Sequence, residues 1–189
     1  MRIAVSGTHF IGKSTLIEDF VNAHPEYNTE IEPYYHTDDQ EMDLSLEPTI
    51  ESLIEQLDYS IEQLNRCANK TNIIFDRCPI DFIAYALCTL KKDGIDIHDS
   101  EISERFPQIK EALKHLDFIV FLPITKEHRM EYTEENPTYR QAADRSFKKI
   151  YRDDICDIFP RYGHPKIIEL CGDRLTRIKK LEGFLFHIK

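Results

Sequence analysis

The chain has 189 residues, 41% of them hydrophobic, and a formal net charge of −10. That length suits a single domain spanning residues 1–189, able to bury most of the apolar surface that its unfolded form exposes. No apolar run approaches the roughly 20 residues of a membrane helix, and so acidic a surface repels a phosphate polymer, so neither a membrane nor a nucleic-acid polymer is expected as partner.

Met1-Arg2-Ile3-Ala4-Val5 runs straight into Gly7 and leaves no room for a secretory leader, so the cytoplasm is the expected compartment. Cys67, Cys78, Cys88, Cys156 and Cys171 are scattered and never spaced Cys-x-x-Cys, and the eight histidines show no metal-ligand spacing. Reduced thiols are expected rather than a disulfide framework or a structural zinc.

Taken along the chain, the first predicted element is a strand at Ile3–Ser6, followed by Gly7-Thr8-His9-Phe10-Ile11-Gly12-Lys13-Ser14 and a helix over Lys13–His24 that Pro25 ends. A second strand is predicted at Thr29–Glu32. In Thr49–Lys70 the residues Ile50, Leu53, Ile54, Leu57, Ile61 and Leu64 recur at helical steps. Thr49 fits the N-cap of that helix, while Ser52 with Glu55 fits a capping box one turn later. Strands at Asn72–Phe75, Phe118–Leu122 and Lys166–Leu170 alternate with helices at Ile80–Lys92 and Ser100–His115, one helix or a pair within Pro137–Phe159, and a last at Asp173–His187. Short continuous apolar runs are what strands buried on both faces of a parallel sheet look like. The expected fold is therefore α/β, three layers with a five-stranded parallel sheet.

Gly7–Ser14 fits Gly-x-x-x-x-Gly-Lys-[Ser/Thr] without a gap, in the strand-to-helix context the pattern requires. Glycines allow successive backbone amides to turn inward on phosphate oxygens, and the helix N-terminus adds its positive end. Gly7, Thr8, His9, Phe10, Ile11, Gly12, Lys13, Ser14 and Thr15 are the expected nucleotide-binding residues. Lys13 supplies a mobile cation and Ser14 a hydroxyl for Mg²⁺, so ATP and Mg²⁺ are the expected ligands.

In a parallel α/β sheet, ligands sit beyond the carboxyl ends of the strands. Asp76 stands at the end of the third strand, placed to hold Mg²⁺ with Ser14, or else to cap the following helix. Arg77 beside it offers a planar fork for a phosphate, or forms a surface ion pair. Glu32, after the second strand, fits a general base or a solvated loop residue. Asp81 either orients Arg77 or caps its helix. Tyr34, Tyr35, His36, Phe82 and Tyr85 offer ring faces for an acceptor pocket. Further on, Arg140 and Arg145 lie five apart, about 140° in azimuth on one helix, and share a face only partly.

Gly-Thr-His-x-x-Gly-Lys-Ser-Thr-Leu with Asp76-Arg77 after the third strand resembles the P-loop nucleoside and nucleotide kinases, and most of all the AAA-type ATP-binding domain of ribosylnicotinamide kinases. Glu32-Pro33 and Asp76-Arg77 are also similar to the Glu-Pro and Glu-Arg segments of deoxynucleoside kinases, with Tyr34 and Tyr35 near the place where a tryptophan often follows Glu-Pro. The resemblance implies Glu32 as general base, with Asp76 and Arg77 serving Mg²⁺ and the reacting hydroxyl. It further implies a helical lid over about residues 124–160 whose arginines, Arg140 and Arg145 ahead of Arg129, close on the triphosphate. It also implies that the segment from Cys171 to Arg177 lies against the adenine, although Asp173 equally fits a helix cap. The function implied is an ATP-dependent kinase acting on a small nucleoside- or nucleotide-like acceptor, with Lys13, Glu32, Asp76, Arg77, Arg140 and Arg145 as catalytic residues and a homodimer left open. The rival class is a P-loop NTPase or nucleotide-dependent switch acting on a protein partner. Its GTPase form lacks support, since no Asn-Lys-x-Asp tetrapeptide occurs.

Overall fold

The computed structural model describes residues 1–30, 47–125, 137–162 and 165–186. Five strands, β1 (Arg2–Ser6), β2 (Asn28–Glu30), β3 (Ile73–Asp76), β4 (Phe118–Phe121) and β5 (Lys166–Glu169), form one sheet in the order β2-β3-β1-β4-β5. Every pairing is parallel, with Ala4 of β1 opposite Phe75 of β3 and Ile119 of β4. Parallel pairing forces a crossover between strands, and the helices α1 (Lys13–Ala23), α2 (Ile50–Arg66), α3 (Pro79–Lys92), α4 (Phe106–Leu113), α5 (Pro137–Asp153) and α6 (Arg174–Phe186) occur among these crossovers and after β5.

Strand alternation divides the interior in two. Ala4, Ile73, Phe75, Ile119 and Phe121 face a cluster completed by α2, α3, α4 and α5. Ile3, Val5, Ile74, Val120 and Ile168 face the opposite way, onto Leu16, Ile17 and Phe20 of α1 and Leu181 and Leu185 of α6. The result is the expected three-layer sandwich, its central strand β1 fully buried from Ile3 onward. The chain passes from β1 outward to β2 on one side and later to β4 on the other. The switch in direction therefore falls at β1, whose carboxyl end opens the crevice.

One helix differs from expectation. The stretch from Ser100 begins as a 3-10 segment, Glu101–Arg105, and turns α-helical only at Phe106. Pro107 accounts for this: lacking an N–H and crowding the preceding turn, it is tolerated in the first α-helical turn and not inside a longer helix. The polar stretch from Pro137 forms one helix, α5, that stops at Asp153, where Asp154 and Asp157 take positive φ of 44° and 47°. Among the described residues no helix is long and apolar enough to cross a membrane.

Candidate active site

The loop between β1 and α1 has backbone that side chains rarely permit. Gly7 has φ of 144°, Gly12 91°, and the non-glycine Phe10 54°. A Cβ on Gly7 would come within 2.7 Å of the Leu122 carbonyl oxygen, so only glycine lets β1 and the end of β4 approach this closely. The two bulky residues of the loop have opposite fates: Ile11 is fully buried in the core, whereas Phe10 stands exposed.

The loop's carbonyls are taken by cations, one from the loop's own end and three from distant parts of the chain. Lys13 Nζ donates to Thr8 O at 3.0 Å, Arg77 Nη1 to Gly7 O at 3.1 Å, Arg140 Nη2 to Phe10 O at 3.3 Å and Arg177 Nη1 to Ile11 O at 2.7 Å. All four side chains are buried, at 3–6% exposure. Trans peptides point C=O and N–H in opposite directions, so carbonyls held outward leave amides facing the other side of the loop. Lys13 also lies at the amino end of α1, within reach of the anion that its dipole favours.

The amides are set as well. Asp81 Oδ1 accepts from Gly7 N at 3.2 Å, and the Tyr85 hydroxyl accepts from His9 N at 2.8 Å while meeting His9 Nδ1 at 3.0 Å. Asp81 both orients and caps: it pairs with Arg77 at 3.2 Å, and its other oxygen accepts from Cys78 N in the capping box of α3. Burial pushes its carboxyl above the usual range, against the pull of Arg77 and Lys13. Burial likewise lifts the Tyr85 hydroxyl to about 12, so it stays neutral at neutral pH. Tyr151 of α5 donates to Ser6 Oγ at 2.6 Å and ties that helix to the foot of the loop.

On the mouth side, Ser14 Oγ donates to Asp76 Oδ2 at 3.0 Å, with Ser14 exposed and Asp76 half-buried. Cys78, not Asp76, caps α3, so Asp76 is left at the strand end beside the loop. A serine hydroxyl and a carboxylate at this spacing are hard oxygen donors of the kind Mg²⁺ takes, alongside phosphate oxygens and water.

The expected site residues are thus distributed as follows. Lys13, Asp76, Arg77 and Arg140 all meet the loop, through Thr8 O, Ser14 Oγ, Gly7 O and Phe10 O, while Ile11 turns into the core and Thr15 is exposed in the first turn of α1. Arg77 is no surface ion pair; it is buried, at φ 74°, with Nη1 on Gly7 O and Asp81. Arg145 departs from expectation: it is exposed and lines a separate cavity of about 990 Å³ between α3 and α5 with Lys91 and Lys149. The helical rotation between positions 140 and 145 is the reason, since Arg140 already faces the loop. Glu32, Tyr34, Tyr35, His36 and Arg129 lie outside the described residues. Of the expected lid, α5 is described, and Tyr139, Ala143, Phe147, Ile150 and Tyr151 anchor it in the core. Asp173 caps α6 through Thr176 N at 2.7 Å, and Phe82 is buried in the core beside Tyr85. Tyr151 was not singled out, and Arg177 was named only at the end of the segment expected against the adenine, because nothing local ties either to this region; their partners, Ser6 at the end of β1 and Ile11 in the loop, lie 145 and 166 positions away.

Among solved structures, the chain is similar to deoxyadenosine kinase from M. mycoides with bound dATP, at 20% identity and a TM-score of 0.68 over 98% of this chain and 99% of that one. It is similar to the same enzyme with products dCMP and dCDP, at 21% identity and a TM-score of 0.69 over the whole of both chains. Against NadR in complex with NR the identity is 17% and the TM-score 0.60, over all of this chain and 51% of that one. No curated protein matches it. The family model described as "AAA domain" matches residues 2–173, spanning the loop, Asp76-Arg77 and all five strands, and the chain belongs to that family.

Proposed function

We propose that this chain is an ATP-dependent kinase that transfers a phosphoryl group to a hydroxyl or phosphate of a small nucleoside-like acceptor. The observation that carries this is Ser14 Oγ on Asp76 Oδ2 at 3.0 Å, directly beside a loop built for phosphate. The kinases whose structures resemble this one hold a deoxynucleotide or NR, which supports the acceptor class.

In this reading the loop amides and Lys13 bind the triphosphate, with Lys13 exchanging Thr8 O for phosphate oxygen. Ser14 and Asp76 would hold Mg²⁺, which supplies charge neutralisation between the phosphates. Arg140, which reaches the loop from α5 at Phe10 O, is the cation that would meet charge spreading over the transferred group. Glu32 or Asp76 takes the acceptor proton. The protein's contribution is positioning and charge rather than covalent chemistry.

ADP release measured with and without nucleosides and vitamin-like ribosides tests the reading. Acceptor-stimulated release is expected, and Lys13→Ala should abolish it while leaving the unfolding midpoint within a few degrees. Hydrolysis indifferent to every acceptor points instead to an NTPase or switch. Wild-type turnover in Lys13→Ala would falsify the kinase assignment.

A further inference from the structure

The contact between Arg177 and the loop is not explained by packing. Arg177 sits one turn into α6, 4% exposed, among the apolar residues that join α6 to α1. A guanidinium there is costly to desolvate, and an unbranched apolar side chain of similar length would fill the space without that cost. Among what the guanidinium adds is a bond that an apolar group cannot make, Nη1 to Ile11 O at 2.7 Å. The same nitrogen would lie 3.2 Å from a Cβ at Gly12, so its position bears on the Ile11–Gly12 peptide from close range.

We propose that Arg177 is a positioning residue for phosphate binding, fixing the Ile11–Gly12 peptide so that the Gly12 N–H is presented to the ligand and strengthened as a donor. The inference rests on the reading of Gly7–Ser14 as a nucleotide site. Two physical effects support it. A charged donor on a carbonyl makes a bond roughly twice as strong as a neutral one and polarises the peptide, and the amide at its other end gains donor strength. Gly12 has φ of 91°, a conformation that a glycine leaves easily, so an external hold on its preceding carbonyl narrows the loop to the binding geometry before the ligand arrives. Arg140 at Phe10 O acts on the adjoining peptide from α5, and Arg77 at Gly7 O on the first peptide of the loop from the end of β3. The loop is thereby gripped from three separated segments, and Arg177 is the grip on the α6 side.

The alternative use for an arginine at this corner is to stack on the base of the nucleotide, and inorganic tripolyphosphate, which has no base, separates the two. Binding of tripolyphosphate and of ATP to the full chain is measured by calorimetry for wild type, Arg177→Met and Arg177→Lys, with thermal unfolding in parallel. The inference expects Arg177→Met to unfold cooperatively near the wild-type midpoint while weakening both ligands by the same factor, about tenfold, the equivalent of one charge-assisted hydrogen bond of about 1.4 kcal/mol. Arg177→Lys, which keeps a charged donor on a long stem, recovers most of that loss. Should the methionine variant not fold, Arg177→Gln takes its place with the same expected loss. Loss of ATP affinity alone, with tripolyphosphate unchanged, means base stacking and overturns the inference, as does unchanged affinity for both. Wild-type protein that binds neither ligand overturns the nucleotide-site reading itself.

Discussion

Gly7 and Asp81 show how much of the site rests on single side chains, or on the lack of one. Gly7→Ala places a methyl 2.7 Å from the Leu122 carbonyl at φ 144°, and backbone rather than a flexible chain must give way. A loss of about 3 kcal/mol in urea unfolding is expected, together with loss of nucleotide binding. A stable Gly7→Ala chain that still binds ATP would show that β1 and β4 can part more easily than their buried register implies. Asp81→Asn is the complementary case. It puts a neutral amide where Arg77, 3% exposed, meets a carboxylate at 3.2 Å, and removal of one charge of a buried ion pair costs up to about 3–5 kcal/mol. Equal urea midpoints for Asp81→Asn and wild type would mean that Arg77 is satisfied without the charge of Asp81. The loop's own residues were legible in the sequence because they are contiguous and each spacing has a chemical reason. Asp81 was legible too, as a residue that orients Arg77 or caps its helix, and it does both. The bonds that Tyr85, Tyr151 and Arg177 make to this region were not, because they depend on which strand end the sheet order brings beside the loop.

Helix ends were the least legible part of each element, and their physics can be tested. The choice between Thr49 and Ser52 as the start of α2 is resolved by the bond from Ser52 N to Thr49 Oγ1 at 3.2 Å. Thr49→Ala should therefore cost about 1 kcal/mol, and Ser52→Ala much less. Strand positions were read to within a residue or two, since continuous apolar runs flanked by turns leave little freedom. The division of Ser100–His115 was missed because helical periodicity carries through Pro107 even though its ring does not. Near the far end of α2, Glu30 joins that helix to β2 by accepting from Lys70 at 3.0 Å and from Cys67 Sγ at 3.4 Å. Burial raises the Glu30 pKa, but these bonds and the charges of Lys70 and Arg66 outweigh it and hold the value below the ordinary 4.5. A carboxylate with a depressed folded pKa contributes stability that is present above about 4.5 and lost as pH falls through the lower folded value. Glu30→Gln should accordingly be less stable than wild type at pH 6, with the gap closing on acidification. A gap in melting temperature that stays constant from pH 6 to pH 3 would rule out Glu30 as its source.

At the scale of the whole molecule, the interior cluster on the α2–α5 side of the sheet buries four of the five cysteines, and Cys171 is half-exposed after β5. Burial pushes the thiols of Cys67, Cys78, Cys88 and Cys156 above their ordinary range, the last to about 12, so they are poor nucleophiles as well as shielded ones. A thiol-exchange reagent at pH 8 should label one cysteine rapidly in the native protein and all five after unfolding; two or more fast sites would mean that the interior opens on the labelling timescale. The same sandwich has a mechanical consequence. α5 is pinned near one end by Tyr151 on Ser6 and touches the loop near the other through Arg140, eleven residues away, about 17 Å at the rise of an α-helix. Tyr139, Ala143 and Phe147 seat that span of the helix in the core, so it works as a strut that carries the position of β1's end to Arg140. A tilt of ten degrees about Ser6 would sweep Arg140 through roughly 3 Å, and it would have to draw Tyr139 out of its burial to do so.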